Sequence, residues 1–304
     1  MKILVGYDGS SYADAALDDM PRAGLPGNCE ALVLSVGYPP VIPPLASHAI
    51  IQKAFVGEQV IAIVEHANVQ AAQALQDAYN LALNATRRLK WYFPSWIVRG
   101  EACAGTPATE LMRTAEGWQA DLIVVGSQGR SAIGRFILGS VSLEVATNSS
   151  RSVRIGRRYD AQIDERAPRI LVGFDGSPAA EQALRKVLMR PWPQGTEVQI
   201  IAVDDGVSEI IAESLSLVGT HVHEDGSITA NRMNTISSGQ GLRVSAGIRK
   251  GDPRDVLITE AQVWAADCIV IGASRAGNTQ PGFFANSVAT ALAADAECSI
   301  EIVR

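Results

Sequence analysis

The sequence predicts a duplicated α/β protein, two doubly wound parallel sheets in tandem, and three observations predict it. The octapeptide ILVGYDGS at Ile3–Ser10 returns as ILVGFDGS at Ile170–Ser177, an offset of 167. The block GTPATELMRTAEGWQADLIVVG, from Gly105 to Gly126, returns as GDPRDVLITEAQVWAADCIVIG from Gly251 to Gly272, an offset of 146. Within each copy, apolar β-branched runs of strand length alternate with stretches whose apolar residues recur at helical spacing. Strands that are apolar throughout are buried on both faces, as in a parallel sheet covered by helices.

In the first copy the strands are Ile3–Val5, Ala31–Val36, SWIVRGEA before Cys103, DLIVVG ending at Gly126, and SVRI ending at Ile155. Val60 to Leu89 carries a helical apolar spacing, and its Ala-rich stretch Val60 to Leu83 is expected to serve core or inter-domain packing rather than a partner-binding face. Thr106-Pro107 places a hydroxyl and then a proline at the start of a helix that runs to Gly117. GSVSLEVATNSS, from Gly139, reads as the last helix of this copy. The second copy repeats the order with ILVGFDG, EVQIIAV, LRVSAGIR, DCIVIG and SIEIV. The two offsets differ by 21, so the first copy holds additional sequence between its anchors, and Pro-rich Pro39–Val60 is the place for it. The expected organisation is a first domain over 1–157, a charged linker over 158–168 and a second domain over 169–304.

A chain of 304 residues fits two domains, and 47% hydrophobic with 19% charged residues supports buried cores rather than disorder. A net charge of −6 is the wrong sign for a nucleic-acid surface. Cys29, Cys103, Cys268 and Cys298 show no CxxC spacing and read as reduced thiols. MKILVGYDGS enters a strand without a leader pattern, and no apolar run has the length of a membrane span. A cytoplasmic protein is expected.

The carboxyl ends of parallel strands, near the point where strand order reverses, are where such sheets hold ligands. Two segments fall there. One is the GYDGS turn, with Asp8 placed to accept from a ribose hydroxyl or to hold a phosphate-bound Mg²⁺. The other is VVGSQGRSAIGRFILGSVS, residues 124–142, with glycines at 126, 129, 134 and 139 and no lysine. Gly126, Gly129 and Gly139 can take positive φ and let backbone N–H groups approach an anion. Gly139-Ser140 then opens a helix whose positive end favours phosphate. Ser140 and Ser142 add hydroxyl donors, and Arg130 and Arg135 add charge-assisted ones. By itself such a loop is equally a plain turn.

The spacing Gly126-x-x-Gly129, nine residues, then Gly139-Ser140 is similar to the nucleotide-binding signature of the universal stress protein family. The ILVGYDGS opening and the DLIVVGSQGR strand and loop resemble that family as well, over nearly the whole chain in two tandem units. The resemblance implies two Rossmann-like domains, each a five-stranded parallel sheet with helices on both faces, and ATP in the unit that keeps the signature. Carried over, adenine and ribose lie by Tyr7, Asp8 and Val36. The phosphates lie on Gly126, Ser127, Gly129, Arg130, Gly139, Ser140, Val141 and Ser142, with Asp8 as a metal contact through nucleotide-bound Mg. It also implies edge pairing of the two units into an intrachain pseudo-dimer, with a further homodimer open.

The second copy departs from the pattern. It keeps Gly272, Asp175 and Ser287, but Arg275 stands for Gly129 and Asn286 for Gly139. A side chain there takes space a phosphate needs. That copy is either an altered site or a degenerate unit kept for packing, and packing is the simpler reading.

Other residues offer less. His221 and His223 share a face if extended, but no further ligand cluster joins them and an exposed loop is expected. His48 and His66 have no nucleophile to serve. Ser10 and Ser177 lack the G-x-S-x-G elbow and fit helix caps. Cys103 has only Arg99 as a basic neighbour, so an inert thiol is expected. The expected function is an ATP-binding stress-response protein with a regulatory or protective role. No poised general base or catalytic lysine is evident, so any ATPase activity would be slow. A slow adenine-nucleotide hydrolase and a nucleotide-free interaction module are the alternatives.

Overall fold

The computed structural model describes residues 1–37, 58–128, 138–157, 166–204, 221–222, 227–229, 241–273 and 284–304. The first copy comprises β1 (Lys2–Gly6), α1 (Ser11–Asp19) with a 3₁₀ turn at Met20–Arg22, β2 (Glu30–Gly37), α2 (Glu58–Tyr92), β3 (Ile97–Ala104), α3 (Pro107–Trp118), β4 (Leu122–Gly126), α4 (Ser140–Asn148) and β5 (Ser152–Gly156). The second comprises β6 (Arg169–Phe174), α5 (Pro178–Met189), β7 (Glu197–Asp204), β8 (His221–Val222), β9 (Ser227–Thr229), β10 (Arg243–Lys250), α6 (Pro253–Val263), β11 (Cys268–Gly272), α7 (Phe284–Asp295) and β12 (Ser299–Val303). Residues 39–57 of the Pro-rich segment and 158–165 of the expected linker lie outside the described residues.

All these strands join one sheet, in the order β3-β2-β1-β4-β5-β12-β11-β6-β7-β10-β9-β8. Each copy contributes five mutually parallel strands, in the Rossmann-like order with the first strand at the centre. The two copies meet where β5 runs antiparallel to β12, with Arg154 opposite Glu301. His221 and Val222 belong to β8, which forms a short antiparallel ladder with β9 rather than a loop. The two short strands extend the second copy's outer edge.

The strand pleat sorts side chains between faces. On one face Leu4, Ile123, Val125, Val153, Ile155, Ile300 and Ile302 join α3, α4, α6 and α7 in a single core that crosses from copy to copy. On the other, Ile3, Val5, Leu122 and Val124 pack under α1 and α2. Ile170, Val172, Cys268 and Val270 pack separately under α5 and Trp192. Among the described residues, the long helix α2 packs on the first copy's own core through Ala82, Ala85 and Leu89. Two glycines permit its approach: a Cβ on Gly37 would lie 2.9 Å from the Ala74 carbonyl oxygen, and one on Gly100 2.9 Å from the Thr86 hydroxyl. Arg88 then ties α2 to α1 through Asp14 at 2.9 Å and Asp18 at 2.5 Å.

Candidate functional site

The strand order reverses between β1 and β4. The described candidate residues lie at or just past the carboxyl ends of β1, β2 and β4 and at the start of α4. After β1 the chain turns sharply. Gly9 has φ 74°, a left-handed conformation suited to glycine. The Asp8 carboxylate accepts from the Ser10 backbone N–H at 2.9 Å, and the Ser10 hydroxyl accepts from the Ala13 N–H at 3.1 Å, capping α1. The second copy builds the same turn: Asp175 accepts from Ser177 at 3.0 Å and Ser177 from Ala180 at 3.1 Å. One role of each Asp is therefore to shape this turn, with or without a ligand nearby.

Tyr7 is engaged by the scaffold. Its ring packs against the core under α1 and α2, and its hydroxyl donates to Asp14 at 2.8 Å. Burial first, then the Asp14 carboxylate, push that hydroxyl up to about 12, so it stays protonated. The Tyr7 carbonyl accepts from the Ser35 hydroxyl at 2.6 Å, locking the ends of β1 and β2 together. Ser35 was not among the expected residues, and a serine within an apolar strand is the signal that could have found it. Val36 lies towards the opposite face, against the core that also receives Val141 and Leu138.

The glycine loop resolves into two described ends, and Gly129 and Arg130 lie outside the described residues. At its start, Gly126 does not adopt positive φ as expected. A Cβ there would come within 2.6 Å of the Tyr12 carbonyl carbon and 2.7 Å of its oxygen, so the residue is glycine because the start of α1 crosses it. The matching Gly272 is still tighter, its Cβ position 2.1 Å from the Ala179 backbone. At the other end Gly139 has φ −63° and ψ 145°, open to any residue, and it caps α4 in an extended conformation. Its N–H donates to the Ser127 carbonyl at 2.8 Å, and the buried Ser142 hydroxyl donates to the Gly126 carbonyl at 2.5 Å. These two bonds close the loop's ends against each other and seat the α4 N-terminus beside β4. Ser140, Val141 and Ser142 form the first turn of α4, whose N–H groups have no partner within the helix. Ser140 is exposed and Ser142 nearly enclosed.

The second copy differs at this point. Asn286 lies within α7, which begins at Phe284, where Gly139 precedes its helix in an extended conformation. Ala289 replaces Ser142 at the matching position, so the bond from the helix to the strand end has no counterpart.

Among the described residues no group of three or more His, Cys, Asp or Glu could hold a metal. His48 and His223 lie outside those residues. No described helix is long and apolar enough to cross a membrane. The four cysteines are unpaired, and burial followed by Glu110 pushes the Cys103 thiol up, consistent with low reactivity. Thr106 precedes α3 as expected, but its side chain makes no capping bond.

Comparison with known proteins agrees with this architecture. The profile of the Universal stress protein family matches residues 1–155 and again 167–304. A universal stress protein of Mycolicibacterium smegmatis is 26% identical over 306 aligned residues, which span 99% of this chain and 96% of that one. A crystal structure of a universal stress protein from Archaeoglobus fulgidus superposes with a TM-score of 0.62 at 18% identity, covering 100% of this chain and 98% of the other. A shorter family protein from Arabidopsis thaliana, solved with AMP bound, aligns with 45% of this chain and 90% of its own length, at 16% identity and a TM-score of 0.30. With both halves matched and a strand order common to the two copies, the chain belongs to the universal stress protein family, as a tandem two-domain member.

Proposed function

We propose that this chain binds an adenine nucleotide in its first copy, and that the bound nucleotide stabilises one conformation or assembly in a regulatory or protective stress role. The observation that carries this is the seating of the α4 N-terminus at the switch point, held by the Gly139–Ser127 and Ser142–Gly126 bonds. Such a terminus offers N–H groups and a positive dipole end to phosphate. Ser140 and Val141 would hold phosphate through that turn, with Ser127, Gly129 and Arg130 completing the loop. Gly126 and Ser142 contribute by positioning, since the glycine makes room for α1 and the serine hydroxyl is spent on the strand end. Asp8 and Val36 would border the nucleoside, with Tyr7 holding the lip of β1 in place.

ATP is the ligand to test first, and any Mg²⁺ would arrive with it, with Asp8 as the carboxylate to meet it. The division of the chain into 1–157, 158–168 and 169–304 makes the second unit a partner in packing, whose helix start lacks both Gly139 and Ser142 counterparts. A ligand at 100 times its Kd stabilises the bound state by about 2.7 kcal/mol, enough to bias a marginal equilibrium.

The test is to release and quantify nucleotide from freshly purified protein and then titrate ATP, ADP and AMP with and without Mg²⁺. About one adenine nucleotide per chain, lost in Gly129→Arg, is the expected result. Protein that carries none and binds none of the three would overturn the proposal. Turnover of added ATP at enzymatic rates would favour the hydrolase instead.

A further inference from the structure

Four titratable side chains lie around the seam between the copies, and their charges are inverted from one copy to the other. At the centre Arg154 of β5 faces Glu301 of β12 directly across the antiparallel ladder. The two occupy matching places in their own sheets, because β5 pairs with β4 from Leu122↔Ser152 and β12 pairs with β11 from Cys268↔Ser299. Asp19 at the end of α1 matches Lys186 of α5 at the 167-residue offset of the opening repeat. The first copy thus brings Asp19 and Arg154, and the second brings Lys186 and Glu301.

Each of these groups reaches across the seam. Arg154 is 1% exposed, Glu301 0%, and they meet at 3.1 Å. Arg154 also holds Asp19 of its own copy at 2.6 Å. The Asp19 carboxylate accepts from the Ser299 hydroxyl of the second copy at 2.8 Å. In the mirrored place Lys186 donates to the Ser152 hydroxyl of the first copy at 3.3 Å. The equivalent serine acts as donor to the acid on one side and as acceptor from the base on the other. Arg190 completes the second copy's set by pairing with Glu301 and donating to the Ala23 carbonyl at 3.3 Å.

A duplicated protein carries two equivalent seam strands, and β5 of one chain presents the same backbone to β5 of another as to β12. A ladder of backbone bonds alone does not discriminate between these partners. Like charges directly opposite on neighbouring strands are destabilising, and a buried guanidinium left without its acceptor costs more than an exposed one. We propose that Asp19 and Arg154 facing Lys186 and Glu301 form a pairing code, by which the first copy accepts the second copy of its chain and rejects another first copy. In a β5–β5 pair, Arg154 would meet Arg154 and lose Glu301. In a β12–β12 pair, two buried glutamates would meet.

Three variants of the full chain test this by thermal unfolding: D19K/R154E, K186D/E301R, and all four changes together. Either inverted copy alone sets like against like, and the midpoint is expected to fall by about 10 °C. Adding D19K/R154E to the K186D/E301R chain is then expected to raise the midpoint. Arg190 is present in both proteins of that comparison, so its loss of Glu301 cancels. A first-copy inversion that lowers the midpoint in both backgrounds would overturn the code, because side chains needed only for local fit give the same sign twice. Unchanged midpoints for the singly inverted chains would overturn it as well. If the inverted chains do not accumulate folded, E301Q and E301R decide. The code requires the like charge of E301R to lower the midpoint at least twice as far as the neutral E301Q, and equal falls contradict it.

Discussion

Gly126 and Gly139 belong to one loop yet owe their identity to different constraints. Gly126 is crossed by the backbone of Tyr12 and Ala13 at distances no Cβ tolerates, whereas the Gly139 backbone angles suit any residue. The duplication supplies an internal control. Gly272 is retained under the same crossing by Ala179 although the rest of its loop has diverged, and Gly139 has become Asn286. Gly126→Ala is therefore expected to destabilise the nucleotide-free protein by about 2 kcal/mol through overpacking against α1. Urea unfolding of nucleotide-free protein checks this, and unchanged stability would contradict the packing constraint on Gly126.

At the scale of the element, caps separate what local sequence specifies from what it only permits. Ser10 and Thr106 both precede helices in extended conformations, but only Ser10 accepts a backbone N–H. Ser10→Ala is expected to cost about 1 kcal/mol and Thr106→Ala close to nothing, measured as a pair by thermal unfolding. A Thr106→Ala loss as large as that of Ser10→Ala would contradict the assignment. Strand positions, the duplicated order and the start of α4 were legible because apolar runs and glycine-serine signals are local. The docking of α2 was not, since Arg88 meets Asp14 and Asp18 across 74 and 70 residues with no periodic trace. Nor was the orientation of Tyr7, which depends on Asp14 one helical turn into α1. Position within a loop reveals which residues lie near a site, but not which of them spend their polar atoms on the scaffold.

For the whole molecule the decisive feature is a buried charge cluster set in the middle of a continuous sheet. SVRI and SIEIV read as apolar strands with one stray charge each, and only their alignment across the seam gives those charges meaning. Burial would raise the Glu301 carboxyl, but the Arg190 and Arg154 guanidiniums outweigh it and hold the group at about 2 against an ordinary 4.5. A depressed acid stabilises the fold above its unfolded pKa, and that stabilisation is lost as pH falls from about 4.5 through about 2. Across that window the thermal midpoint of the unmodified chain is expected to drop more steeply than that of E301Q, which starts lower. Parallel profiles would mean that Glu301 does not carry the acid sensitivity.

Placing β5 and β12 in one polypeptide also changes how the seam responds to abundance. Partners on separate chains drift apart on dilution, whereas strands separated only by the first copy's connector and the second copy's own elements meet by a unimolecular step. Joining two such partners in one chain holds them at an effective concentration on the order of millimolar, far above ordinary protein levels. The pairing of the two copies therefore depends on the chain itself and not on how many copies the cell has made.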